Sequence, residues 1–142
     1  MVLYKVLNDL NEDIKYFRKA IFVNELGFNF SDEFDDDETR YNHCCLYENN
    51  MLIAYARIFI QSDNVRIGRV LVLKDKRKQG FGKQIMFWAE TEILKRNLKL
   101  AEVHALDQAI GFYEKLGYKQ DGDWFIEDGR NHIKMVKWLE VK

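Results

Sequence analysis

Val70-Leu71-Val72-Leu73-Lys74-Asp75-Lys76-Arg77-Lys78-Gln79-Gly80-Phe81-Gly82-Lys83 runs from an apolar strand, through a basic turn with two glycines, into the start of a helix. Such a junction suits phosphate. Glycine lets the main chain approach a ligand closely, and the free amides and positive dipole end at a helix start favour a pyrophosphate. Lys76, Arg77, Lys78 and Lys83 add charge, although taken alone the same residues would serve as a solvated basic turn. Other known loops fail on spacing. A Walker-type loop needs glycine where Arg77 stands and Ser or Thr where Gln84 stands. A dinucleotide fingerprint needs a third glycine at the position of Ile85, after a parallel unit. An EF-hand reading of Asp35-Asp36-Asp37 fails because Arg40 takes the place of its turn glycine.

Working outward, the pattern predicts strands at Val2 to Leu7, Cys44 to Glu48, Leu52 to Ile60 and Val65 to Leu73, the last three an antiparallel meander joined by polar turns. A helix is expected from Asn8 to Leu26, carrying Leu10, Ile14, Phe17, Ile21 and Phe22 at helical spacing and ended by Gly27. Between them Phe28 to Asn42 reads as an acidic loop. Gly80 to Asn97 is expected to press Phe81, Ile85, Trp88, Ala89 and Ile93 onto the sheet. Then come a strand at Leu100 to Ala105, a short helix at Leu106 to Leu116 ended by Gly117, and two strands, Tyr118 to Glu127 and Asn131 to Leu139, about an Asp128-Gly129 turn. The expectation is one α/β (α+β) domain over residues 1–142, with a mixed, mostly antiparallel sheet and helices on both faces.

With 142 residues, 47% of them hydrophobic, the chain can build one core and has little room for a second. A formal charge of -1 gives no global field toward nucleic acid or an anionic membrane, and no apolar run is long enough for a membrane span. No aromatics interleave with Lys74 to Lys83 as a nucleic-acid groove would require. Adjacent Cys44 and Cys45 alternate faces on a strand, which suits neither a disulfide nor a metal site, so no metal is expected. A reducing, cytoplasmic setting fits two ordinary buried thiols.

Arg77-Lys78-Gln79-Gly80-Phe81-Gly82 resembles the Arg/Gln-x-x-Gly-x-Gly/Ala signature of the GNAT (Gcn5-related N-acetyltransferase) family, in its place between the fourth strand and a long helix. Ala109-Ile110-Gly111-Phe112-Tyr113-Glu114-Lys115-Leu116-Gly117-Tyr118 resembles the family's second signature at the right spacing. The resemblance covers nearly the whole chain and is closest to the ElaA-type subgroup, through Ile21-Phe22-Val23-x-Glu25, the acidic segment ending at His43, Ile67-Gly68-Arg69-Val70 and Glu127-Asp128-Gly129-x-x-His132-Ile133. Many relatives carry Asn where this chain has Leu106.

The resemblance implies the GNAT fold and an N-acetyltransferase moving an acetyl group from acetyl-CoA to a primary amine, by direct attack in a ternary complex. It implies that the backbone of Leu71, Val72 and Leu73 pairs with the pantetheine arm. Arg77, Lys78, Gln79, Gly80, Phe81, Gly82 and Lys83 would hold the pyrophosphate, and Tyr113 would face the thiol. Gly80 and Gly82 should then be the least replaceable loop residues. Direct transfer needs a neutral amine, stabilisation of the oxyanion and a proton for the leaving thiolate. A phenol near pKa 10 still holds its proton at neutral pH, so Tyr113 is the candidate acid. Candidate bases are Glu25, Asp35, Asp37, His43 and His132, with Glu25 and His132 placed first.

The acidic run Asp32 to Glu38 would attract a cationic amine, and Arg57 and Arg69, on adjacent strands, would pair with it or with an anionic substrate group. A small-molecule amine is the expected acceptor; a peptide or protein amine is the variant. A non-catalytic, coenzyme A-sensing module of the same fold is the alternative. No nucleic-acid or membrane partner is expected, and a homodimer stays open.

Overall fold

Eight strands form one sheet in the computed structural model, which describes residues 2–27, 40–61 and 64–140. In chain order they are β1 (Val2–Leu7), β2 (Tyr41–Glu48), β3 (Met51–Gln61), β4 (Asn64–Val72), β5 (Leu100–Leu106), β6 (Lys119–Gln120), β7 (Phe125–Glu127) and β8 (Arg130–Trp138). Among the described residues the α-helices are α1 (Glu12–Arg18), continued by a π-helical segment Lys19–Glu25, then α2 (Phe81–Lys95) and α3 (Ile110–Lys115). The sheet order is β1-β2-β3-β4-β5-β8-β6, with β7 also on β8. Every pairing is antiparallel except β4 with β5, which is parallel. The expected mixed, mostly antiparallel sheet with helices on both faces is what forms.

Local chemistry sets the elements. The Asn11 side chain accepts from the Ile14 amide at 2.9 Å to cap α1, ahead of Glu12 and Asp13 in the first turn. The Asn49-Asn50 and Asp128-Gly129 hairpins have both central residues at positive φ (51° and 69°; 51° and 73°), the primed geometry that matches strand twist. Helix α2 buries Phe81, Ile85, Met86, Ala89 and Ile93 against the sheet. Each such large side chain, when fully buried, contributes on the order of 2 kcal/mol. Trp88 lies at the edge of that stripe and stacks on Tyr4, ring centroids 4.5 Å apart. The opposite face packs Ile14, Phe17 and Ile21 on Cys45, Tyr47, Leu52, Tyr55 and Leu71. Cys44 belongs to the α2 core and Cys45 to the α1 core, both as free thiols.

Several boundaries differ from the sequence reading: the first helix starts at Glu12 rather than Asn8, and β2 starts at Tyr41 rather than Cys44. The first helix widens into π geometry after Arg18, where the Leu26 amide reaches back to the Ile21 carbonyl at 2.9 Å; the apolar spacing through Ile21 is the same for either helix. Pairing of Leu106 with His132 extends β5, so the following helix begins only at Ile110, after a 3₁₀ turn. The expected strand Tyr118 to Glu127 is broken. From Gln120 to Phe125 the chain advances five residues while β8 advances three between Met135 and His132, and Gly122, at φ 103°, turns the excess outward. The acidic run Asp32 to Glu38, with Asp35 and Asp37, lies outside the described residues. No helix among those described is long and apolar enough to cross a membrane.

Candidate active site

The parallel ladder between β4 and β5 stops at Ile67 and Val103, and beyond that point the strands part. Pairing of β4 with β3 is also irregular. Tyr55 faces Leu71 and Arg57 faces Gly68, so β4 carries an extra residue there, and Arg69 sits at φ 51°. The parted strands leave a cleft of about 160 Å3 whose walls include Gly68 to Leu71 of β4, Leu106 after the splay of β5, and Tyr113 of α3. Across its mouth Arg69 reaches Asp128 of the β7–β8 hairpin at 3.8 Å. The β4 edge facing β5, from Gly68 to Val72, has no strand partner there. Leu73 is already past the strand, its amide bonded to the Ile53 carbonyl at 2.9 Å.

Beyond β4, Lys74 to Lys76 makes one 3₁₀ turn and the loop enters α2 through Gly80. Lys78 and Gly80 both have positive φ, 63° and 86°. No side chain caps the helix, no acid lies in its first turn, and its first intrahelical bond runs from the Gln84 amide to the Gly80 carbonyl, so the amides of Phe81, Gly82 and Lys83 precede the ladder. That is an anion-binding geometry. The glycines differ in their reasons. Gly80 has open space around it and is needed for its backbone angle, whereas a Cβ on Gly82 would come within 3.1 Å of the Phe112 ring. Gly82 thus lets α3 pack against the helix start and brings Phe112-Tyr113 beside it. Lys76 is committed to Glu48 at 2.6 Å, whereas Lys78 and Lys83 are exposed and make no ion pair with described residues.

Tyr113 is 7% exposed, packed edge-on to Phe112 and Tyr118, and its hydroxyl hydrogen-bonds to no described residue. Burial pushes its phenol well above the usual value, so it stays protonated at neutral pH. His132, also 7% exposed, lines the same cleft and stacks on Phe125. Its Nδ1 lies 2.9 Å from the Arg130 carbonyl. A carbonyl only accepts, so Nδ1 carries the hydrogen and, in the neutral ring, Nε2 keeps its lone pair. The cleft therefore holds a protonated phenol and an imidazole with a basic nitrogen.

On the β7 side, Glu127 and His104 line the cleft too; Glu127 stands in the stretch that ends at His132-Ile133, yet neither is among the candidate acids and bases read from the sequence. His104 Nδ1 is 3.1 Å from Glu127 and Nε2 is 3.0 Å from Glu102, with Arg66 3.9 Å from Glu127. The His104 hydrogen bond and charge, with Arg66 behind them, hold the Glu127 carboxyl below its usual range. A carboxyl depressed in the folded state stabilises it above the unfolded pKa and loses that contribution as pH falls through the folded value. Glu127→Gln should therefore cost about 1 kcal/mol at neutral pH, given its partial exposure. The gap to wild type should begin to narrow near roughly pH 4.3 and close as pH falls through the lower folded value. Urea midpoints at several pH values read this directly.

The remaining predicted residues divide between the cleft and other places. Glu25 does not line the cleft: Arg77 forks onto it at 2.6 and 2.9 Å and holds its carboxyl below the usual range, an arrangement that favours an ion-pair role over proton abstraction. His43 is fully buried within the sheet, its Nδ1 hydrogen-bonded to the Tyr55 hydroxyl, and is not a cleft residue. Arg57 does line the cleft, its guanidinium 3.9 Å over the Tyr41 ring. Among the described residues no group of His, Cys, Asp and Glu is placed to hold a metal ion.

Comparison with known proteins agrees with this architecture. The chain is 34% identical to YyaT of Bacillus subtilis over 132 residues, covering 91% of this chain and 88% of that one. It superposes on Escherichia coli ElaA with a TM-score of 0.81 at 30% identity, covering 96% of this chain and 99% of that one. An aminoglycoside 6'-N-acetyltransferase solved with coenzyme A shares the fold, with a TM-score of 0.79 over 99% of this chain and 98% of that one, at 14% identity. Residues 11–139 match the acetyltransferase (GNAT) domain family. With that match joined to a parted β4–β5 pair, an uncapped helix start and a cleft-lining tyrosine, the chain belongs to the GNAT family of acyl-CoA-dependent acetyltransferases.

Proposed function

We propose that the protein acetylates a primary amine, of a small molecule, with acetyl-CoA as donor, by direct attack within a ternary complex. The observation that supports this most strongly is the convergence of the unpaired β4 edge, the Tyr113 hydroxyl and the His132 ring on one cleft, with the uncapped α2 start packed against α3 beside it. The residues present suit coenzyme A. The free edge from Gly68 through Leu71 and Val72 offers main-chain groups to the amides of a pantetheine arm. Past Leu73 the loop from Arg77 through Gln79 to Lys83 offers amides to a pyrophosphate, and Lys78 and Lys83 add charge. Leu106, which lines the cleft, gives it an apolar wall there.

In the transfer, Nε2 of His132 takes the proton as the amine nitrogen bonds to the thioester carbonyl carbon. The carbon–sulfur bond then breaks, and the Tyr113 hydroxyl gives its proton to the departing thiolate. The phenolate regains a proton from solvent and His132 releases its own. The Glu127 carboxylate lines the same cleft as the His132 ring. Cleft walls mixing Tyr41, Phe59 and Ile67 with charged groups suit a small amine with an apolar body.

The test is a thermal-shift titration with acetyl-CoA beside ATP and NADH. Acetyl-CoA at a hundredfold excess over Kd should add about 2.7 kcal/mol of stability, a rise in midpoint of roughly 8 °C for a chain of this length. Gly82→Trp, whose indole would fill the helix start against Phe112, should abolish the rise. Equal shifts with all three ligands, or none, would remove acetyl-CoA as donor.

A further inference from the structure

All three guanidinium nitrogens of Arg77 are engaged within the protein. Nε donates to the Val72 carbonyl at 3.0 Å, Nη1 to Glu25 Oε2 at 2.6 Å and Nη2 to Glu25 Oε1 at 2.9 Å. This fork joins residues 52 apart in sequence, the loop after β4 and the last π-helical position of the first helix. The next residue, Leu26, is a wall of the cleft, and its carbonyl accepts a hydrogen bond from Arg130 at the start of β8. The turn that roofs the cleft is thus held from the coenzyme loop on one side and from β8 on the other. A guanidinium forked on a carboxylate would have to surrender that pair to hold a phosphate, whereas the α2 amides, Lys78 and Lys83 remain to do so.

We propose that the Arg77 side chain is a positioning residue for the acceptor cleft: with Glu25 it forms a strut that fixes Leu26, the cleft roof, to the loop between β4 and α2. The inference rests on the placement of the coenzyme along that loop under the proposed function. A coenzyme seated there steadies the loop end of the strut, and the strut carries that constraint to the roof. Donor occupancy and the order of the acceptor cleft are coupled through one ion pair, and Glu25 acts through Arg77 rather than on the amine.

Hydrogen exchange over residues 21–27 and calorimetric titration with acetyl-CoA, on wild type, Glu25→Gln, Arg77→Gln and the charge-swapped Glu25→Arg/Arg77→Glu chain, test this. In wild type, acetyl-CoA should slow exchange of residues 21–27. Both single variants should exchange about tenfold faster there and lose the response to acetyl-CoA, with Kd for acetyl-CoA held within about threefold. The swapped chain should recover protection and response. An acetyl-CoA Kd raised tenfold or more in Arg77→Gln but not in Glu25→Gln would make Arg77 a phosphate ligand and overturn the proposal, as would wild-type exchange in both single variants. Failure of wild type to bind acetyl-CoA would sink the donor assignment alone, since the faster exchange of the variants needs no ligand.

Discussion

Tyr113→Phe should lower kcat by roughly 10²- to 10⁴-fold, the range for removal of a general acid, with acetyl-CoA affinity nearly unchanged. The substitution removes one oxygen. No described residue bonds to the Tyr113 hydroxyl, so its loss orphans no described partner, and the ring contacts with Phe112 and Tyr118 persist. Stability should move by less than about 1 kcal/mol, which separates a catalytic loss from a folding defect. Because burial lifts the phenol well above its usual range, Tyr113 adds no titration to the rate profile between pH 6 and pH 9. The variant should be slower by a constant factor across that window. A donor with a better leaving group than a coenzyme A thiolate should recover much of the rate, since its departure needs less protonation. Wild-type kcat in Tyr113→Phe would assign the thiolate's proton to solvent.

The parts of this site that sequence made readable are those carried by short spacing. Gly80, Gly82 and Tyr113 stand in signatures where each neighbour constrains the next, and the apolar stripe of α2 fixes which of its own faces meets the sheet. What escaped depends on contacts between distant segments. His104 and Glu127 are 23 residues apart and meet because β5 and β7 flank opposite edges of β8. A signal existed in the alternation of β5, where Ala101, Val103 and Ala105 are fully buried in the α2 core while Glu102, His104 and Leu106 face the other way. The commitment of Glu25 to Arg77 had no such signal. It depends on a π-helical turn that apolar spacing does not encode, so a carboxylate near the acceptor side looked free to act as a base.

His132→Asn probes the other half of the transfer. Asparagine offers an amide N–H near the position of Nδ1, so the hydrogen bond to the Arg130 carbonyl can survive while the lone pair at Nε2 is lost. If Nε2 takes the proton from the attacking amine, kcat/KM for an alkylamine should fall by about 10²-fold or more. The deficit should shrink for an arylamine, which is already neutral at assay pH and whose nitrogen becomes a stronger acid as it attacks, so that water can take the proton. Glu127 provides a further check. Glu127 and His132 line the same cleft, so if the carboxylate balances charge formed on the ring, Glu127→Gln should cost less activity in a His132→Asn background than in wild type. Equal deficits for the two amines, with additive losses in the double variant, would mean that His132 only shapes the cleft wall and that the amine arrives already neutral from solvent.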